Sequence, residues 1–270
     1  MKRTLRGSEP VGLRRFRDEH PEGTWDAFRD AAAGQENDPY KDCRTELFES
    51  QGGLCAYCEI DVRDGNPLTC RVEHFHPKSD ITPEKNWALD WLNLLGVCAG
   101  GSYRYGAAPH TLEPLHQNLS CDAAKDRRVQ RDDRLMQCEG RILRPEQIPA
   151  DACLLKLQRS TGRLEADVNE CMKFEAQIQH EMESLADLVE QTIDILNLNC
   201  DRLCQARLMV SRSIEHAKKQ QRDQGFTPQQ GMANLTDRYL RVRWPAFFTT
   251  IRLCMRDAFD ARLVRDGYTG

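Results

Sequence analysis

The chain has 270 residues, 40% of them hydrophobic, enough to bury one or two ordinary cores without obligatory disulfides or oligomerisation. Aromatic residues make up only 7% and charged residues 30%, a balance that favours helices with solvated faces over an aromatic-rich barrel or sandwich. A formal net charge of -4 excludes a uniformly basic coat for nucleic acid, so any contact with a polyanion must be local.

The chain opens with Lys2, Arg3, Arg6, Arg14, Arg15 and Arg17 against Glu9 alone, a basic arm expected to be solvated. No apolar leader segment opens the sequence, and no apolar run approaches the roughly 20 residues that span a bilayer, so a cytoplasmic location is expected. Residues 24–51 read as helical from Trp25, Phe28, Leu47 and Phe48, with an interruption at GQENDP and a stop at Gly52 and Gly53. From 54 to about 105 the helical period gives way to short pieces punctuated by Gly65, Pro67, Pro77, Pro83, Gly100 and Gly101. A helix is expected to resume with Ser120 as its cap and to run through AAKDRRVQRDDRLMQ. Beyond Pro149, the apolar positions Phe174, Ile178, Met182, Leu185, Val189, Ile193 and Leu196 recur at steps of three and four and predict one amphipathic helix. A second helix carries Leu203, Val210, Ile214 and Ala217, and a third follows Pro245 with Phe248, Ile251, Met255 and Phe259. The expected organisation is a helical, basic segment 1–50, a metal-binding core 51–145 and a helical region 146–270.

Twelve cysteines in a reducing compartment read as core residues or metal ligands rather than disulfides. Cys171, Cys200, Cys204 and Cys254 fall in helical segments, where a free thiol behaves as a small buried hydrophobe. Cys55 and Cys58 form CAYC, a spacing that lets one tight turn present two sulfurs to a tetrahedral ion. Cys98 and Cys121 are the nearest candidates to complete a closed, structural Zn2+ site, with His110 and His116 as alternative fourth ligands.

Between the halves of that site lies CRVEHFHPKS, a short strand-like run that delivers Glu73, His74 and His76 to a stop at Pro77. Asn93 follows within LNLL, and Asp122 and Lys125 stand one helical turn apart in CDAAKDRR. The order CxxC, acidic-His, Asn-Leu, Cys-Asp-x-x-Lys resembles the HNH endonuclease pattern over roughly residues 50 to 130. The finer wording GGLCAYCE, EHFHPKS, LNLLGVC and CDAAK, with ILNLN in a helical tail, resembles the PtuB-type HNH nucleases. Those are nuclease subunits of Septu-like and retron-associated anti-phage systems, working beside an ATPase called PtuA.

The resemblance implies a mainly α fold with a small ββα-metal core, a structural zinc and a helical C-terminal half. It makes His74 the general base, because an imidazole with a reference pKa near 6.5 is largely neutral at cellular pH. Asp122, helped by Glu73, would hold the catalytic divalent ion, Mg2+ or another, and Asn93 would brace the histidine loop. Lys125, Arg127 and Arg128 would contact phosphates from the same helix. The sequence departs from the pattern where Glu73 replaces the commoner Asp and where the second cysteine pair is stretched into Cys98 and Cys121. Strict strand alternation puts His74 and His76 on one face and Glu73 on the other, so His76 is a second choice for the extra metal ligand.

Nucleic acid is the expected substrate, DNA by default with tRNA or other RNA open. The helical arm of about 165–224 is expected to dock a PtuA-like ATPase through Met172, Met182, Met209, Arg202, Arg207 and Arg212. Trp87 and Trp91 read as core packing, and KDRRVQRDDR as a solvated helix face. A non-catalytic zinc-ribbon module or a structural adaptor would explain the four cysteines, but not Glu73, His74, Asn93 and Asp122 in order.

Overall fold

The computed structural model describes residues 1–31, 33–66, 69–80, 85–102, 116–241 and 243–270. About half of the chain is helical, with two small antiparallel sheets and a buried cluster of four cysteines, an arrangement consistent with an HNH-type fold.

The N-terminal third is helical because its ends are capped and its apolar residues share one side. Helix α1 spans Val11–Glu19, α2 Trp25–Asp30 and α3 Pro39–Ser50. Thr24 accepts from the Ala27 N–H at the start of α2, and Asp38 accepts from the Tyr40 and Lys41 N–H groups ahead of Pro39 in α3. Leu13, Trp25, Phe28, Cys43 and Leu47 close over Leu94 as one apolar cluster. The basic arm is solvated only in part, at Arg14 and Arg15 in α1, which are exposed. Arg6 pairs with Glu146 and donates to the Trp91 carbonyl, Arg17 pairs with Glu9, and Lys2 is buried.

Strand β1 (Cys70–His74) pairs antiparallel with β2 (Leu94–Cys98), setting Glu73 opposite Leu95 and His74 opposite Leu94. Gly96 admits Gln51, whose side-chain amide bonds both the N–H and the carbonyl of Gly96 at 2.8 Å, and a Cβ there would strike the Phe48 ring. Helix α4 (Asp122–Val129) then packs on β1, where Asp122 meets Arg71 and Lys125 meets Glu73 and His74. Ser120 is not its cap. Its hydroxyl accepts from Arg202, and α4 begins only after Cys121, which takes the left-handed region at φ 55°.

A second hairpin, β3 (Leu155–Gln158) and β4 (Arg163–Ala166), interrupts what the sequence reading took as the run into a helical region. The outer edge of β4 is covered by side chains: Asn199 bonds both the N–H and the carbonyl of Leu164, and Glu190 accepts from the Ala166 N–H.

The expected helix from Cys171 to Leu196 is two helices. Helix α5 (Val168–Phe174) runs into a short 3-10 turn, and α6 (Leu185–Ile195) restarts at Ser184, which caps the Asp187 N–H. Glu175 accepts from the Leu185 N–H, so a polar bend replaces the turn of helix while Phe174, Ile178, Leu185 and Val189 still face one core. Helix α7 (Asp201–Asp223) follows, then α8 (Pro228–Tyr239), α9 (Phe248–Met255) and α10 (Asp257–Arg265). Ile214, Leu235, Phe248, Ile251 and Phe259 form their shared core. Arg207, expected to be exposed, is 2% exposed and donates to the carbonyls of Gly162 and Leu198, tying β4 to α7. Met172 and Met209 do face solvent, at 71% and 70% exposure.

Candidate active site and metal centres

Four thiols meet beneath the first hairpin. Sulfur separations of 3.9 Å for Cys55–Cys121, 3.6 Å for Cys58–Cys98 and 3.7 Å for Cys98–Cys121 sit at the ~3.8 Å edge of a tetrahedron with Zn–S arms of about 2.3 Å. All four residues are buried. Burial opposes a thiolate, yet hydrogen bonds from the other three thiols hold Cys55 well below the usual thiol range. One sulfur facing three donors is the arrangement that a cation would replace, so the donor set fits zinc. His110 and the His116 side chain lie outside the described residues.

The end of β1 and the first two turns of α4 bring three carboxylates together. Glu73, Asp122 and Asp126 each offer an oxygen within 4.8 Å of the others, a hard, all-oxygen set that suits a divalent ion. Burial, then the charge and hydrogen bond of Glu73, push the Asp122 carboxyl well above the usual range. Loss of solvent, then the charge of Asp122, lifts Asp126 to about 6. Such mutual repulsion in the metal-free state is what a cation relieves. The sequence reading missed Asp126, although its i+4 offset from Asp122 on one helix face was the available signal.

His74 leaves the strand beside this cluster. Its Nε2 lies 3.0 Å from the Ala88 carbonyl, which can only accept, so the proton sits on Nε2 and the Nδ1 lone pair is left for another partner. Trp25 stands edge-on to the imidazole at 4.9 Å between ring centroids. Burial keeps the ring neutral, with a pKa lowered to about 4.

Asn93 works on the backbone around His74. Its Oδ1 accepts from the His76 N–H at 2.7 Å, and its Nδ2 donates to the carbonyls of His76 and Trp87, each at 2.9 Å. The second of these holds the residue before Ala88 and so fixes the acceptor that orients His74. His76 itself stands apart from the carboxylate cluster. Its Nδ1 faces Glu139, its Nε2 faces Asp80, and Trp87 stacks on the ring at 3.9 Å.

Glu73, His74, Asp122 and Asp126 are thus brought together, and a cleft of about 570 Å³ opens over them between α2, α3 and α4. Its cationic lining is Arg29, Arg71, Lys78 and Lys125, not Arg127 or Arg128, which lie off the face of α4 that carries Asp122, Asp126 and Val129. Arg128 pairs with Asp194 instead. Arg71, two residues before Glu73 on the same strand face, reaches Asp122 at 3.3 Å and the Ala99 carbonyl at 3.3 Å. Lys125 is buried, and its ammonium is held by Glu73 and by the carbonyls of His74 and Phe75, so it is not free to contact a phosphate.

No family model matches the chain. It is, however, 36% identical over 209 residues to the HNH endonuclease assigned to retron Ec83 of Escherichia coli, a match covering 77% of this chain and 78% of that one. Identity at that level across three-quarters of both proteins shows that the chain belongs to the HNH endonucleases.

Proposed function

We propose that this protein hydrolyses phosphodiester bonds of nucleic acid at the Glu73–Asp122–Asp126 cluster, with His74 as the general base. The observation that carries the reading is the pinned imidazole: Nε2 is engaged by Ala88, and His74 lines the same open cleft as the three carboxylates. A water in that cleft gives its proton to His74 Nδ1 and attacks phosphorus in line with the leaving oxygen. Asn93 holds the two backbone segments that set the imidazole's direction. Glu73, Asp122 and Asp126 would hold a divalent ion such as Mg2+, whose chemistry is Lewis-acid stabilisation of charge on the phosphate and the leaving oxygen. Cys55, Cys58, Cys98 and Cys121 would hold a structural Zn2+. Arg71 and Lys78 replace Arg127 and Arg128 as the proposed phosphate contacts, since they line the cleft.

The retron setting of the relative supports a finer assignment, a PtuB-like effector acting in the cytoplasm within an anti-phage complex beside a PtuA-like ATPase. In that reading residues 51–145 form the nuclease core, and 146–270 form the docking region, where Met172 and Met209 offer adaptable apolar contacts. The test is an assay of the zinc-loaded full chain with Mg2+ or Mn2+ on plasmid DNA and on total RNA, with and without the genomically adjacent protein. Metal-dependent cleavage, reduced about 100-fold or more by His74→Ala with zinc content unchanged, is the expected result. Cleavage of neither polymer under any of these conditions would remove the reading.

A further inference from the structure

Lys125 is among the largest fully buried side chains in the protein, and it carries a charge. Its three N–H donors are matched by three acceptors: Glu73 Oε1 at 2.5 Å, the His74 carbonyl at 2.9 Å and the Phe75 carbonyl at 2.6 Å. Nothing is left over for substrate. The acceptors are instead a carboxylate of the metal cluster and the backbone of the base, so one ammonium from α4 ties both to the helix that carries Asp122 and Asp126.

The engaged oxygen matters for the ion. With Oε1 bonded to a buried ammonium, two-oxygen coordination by Glu73 is disfavoured, because that oxygen would have to serve the ammonium and the ion together. Arg71 similarly sits 3.3 Å from Oδ2 of Asp122. A small ion such as Mg2+ prefers octahedral coordination by one or two carboxylates, each through a single oxygen, with water filling the rest, whereas Ca2+ favours six to eight oxygens and readily takes a carboxylate through both. We propose that Lys125 is a positioning residue that makes Glu73 a one-oxygen ligand and thereby sets the preference of the site for a small octahedral ion over Ca2+. The inference rests on the reading of the carboxylate cluster as the divalent-ion centre.

Calorimetric titration of the zinc-loaded full chain with MgCl2 and with CaCl2, in the absence of nucleic acid, tests it. The wild type is expected to bind Mg2+ at least as tightly as Ca2+. Lys125→Met, which keeps the length of the stem and removes the ammonium, is expected to shift the ratio of the two affinities about tenfold towards Ca2+, because Glu73 can then close on the larger ion with both oxygens. Infrared difference spectra of the Ca2+-bound variant should show the narrower carboxylate splitting of two-oxygen coordination. Mg2+ and Ca2+ affinities that change in equal proportion in Lys125→Met would make Lys125 a brace only and overturn the proposal. Should that variant fail to fold, the wild type still decides, since Ca2+ binding tenfold tighter than Mg2+ is incompatible with it. A wild type that binds neither ion would instead remove the divalent centre itself, an outcome distinct from an unchanged ratio.

Discussion

Burial around His74 serves the proposed chemistry and has a cost in stability that depends on pH. The ring is neutral to about pH 4 in the folded chain, where an exposed histidine would protonate near 6.5. A base whose pKa is depressed by folding contributes stability above its unfolded value, and that stability is lost as pH falls from about 6.5 through 4, because the unfolded state then binds the extra proton. At about 1.4 kcal/mol per unit, the loss is on the order of 3–3.5 kcal/mol. Melting temperatures of the wild type and His74→Gln are therefore expected to converge as pH is lowered from 7 to 4, since glutamine has no proton to gain. Parallel curves over that interval would mean that the imidazole is not desolvated. The same environment was invisible in the sequence: the Glu73–His74 pair and Asn93 could be singled out from their order, but the Ala88 carbonyl, the Trp25 edge and the burial of Lys125 come from segments joined only by the fold. A lysine one turn after Asp122 looks like a phosphate contact until its neighbours are known.

The elements around the site divide into those whose signals are local and those whose signals are not. The CAYC knuckle and the strand-like run of β1 are encoded within a few residues and were readable; the caps at Thr24 and Asp38 are equally local but were not singled out. The bend between α5 and α6 was not, because its apolar residues keep helical spacing while Glu175 and Ser184 redirect the backbone. Nor was the β3–β4 hairpin, in which four-residue strands offer too few alternations to outweigh the helical pattern that follows. Helix α2 is six residues long, and its importance lies in what it supports: Trp25 packs against Phe28 at 5.4 Å, against Tyr40 at 5.6 Å and against the His74 ring. Trp25→Ala is expected to cost about 3–5 kcal/mol in a denaturant titration, from lost burial and the cavity left behind. At temperatures where the variant remains folded, its cleavage rate should fall by a further factor on the order of 10 to 100, as misplacement of a reacting group does. Trp25→Phe, which keeps an edge against the imidazole, should retain most of the rate. Equal rates for the alanine and phenylalanine variants would show that α2 is cover only.

At the scale of the whole molecule, the cysteine cluster is the joint between regions that are distant in sequence. Cys121 receives a backbone bond from α4 and donates its own N–H to the Leu196 carbonyl at the end of α6. The knuckle N–H of Ala56 bonds Gly96 in β2, while Glu59, held at φ 63° directly after CAYC, accepts from the N–H and hydroxyl of Thr249 in the first turn of α9. The C-terminal helices thus rest on a loop whose shape depends on four thiols converging. The loop packs Leu54, Tyr57 and Val62 into the core, and a metal bound by the four thiols would add directly to its folding free energy. Elemental analysis is expected to find about one zinc per chain. Its removal by a strong chelator should lower the helical signal in circular dichroism beyond what the small β1–β2–α4 unit can account for, because α6 and α9 lose their anchor points with it. Cys55→Ser should reproduce the effect without chelator, and adding zinc back to the stripped wild type should reverse it. A zinc-free chain that keeps its full helical signal and its melting temperature would disconnect the thiols from the helical half, leaving the carboxylate cluster to be judged by its own tests.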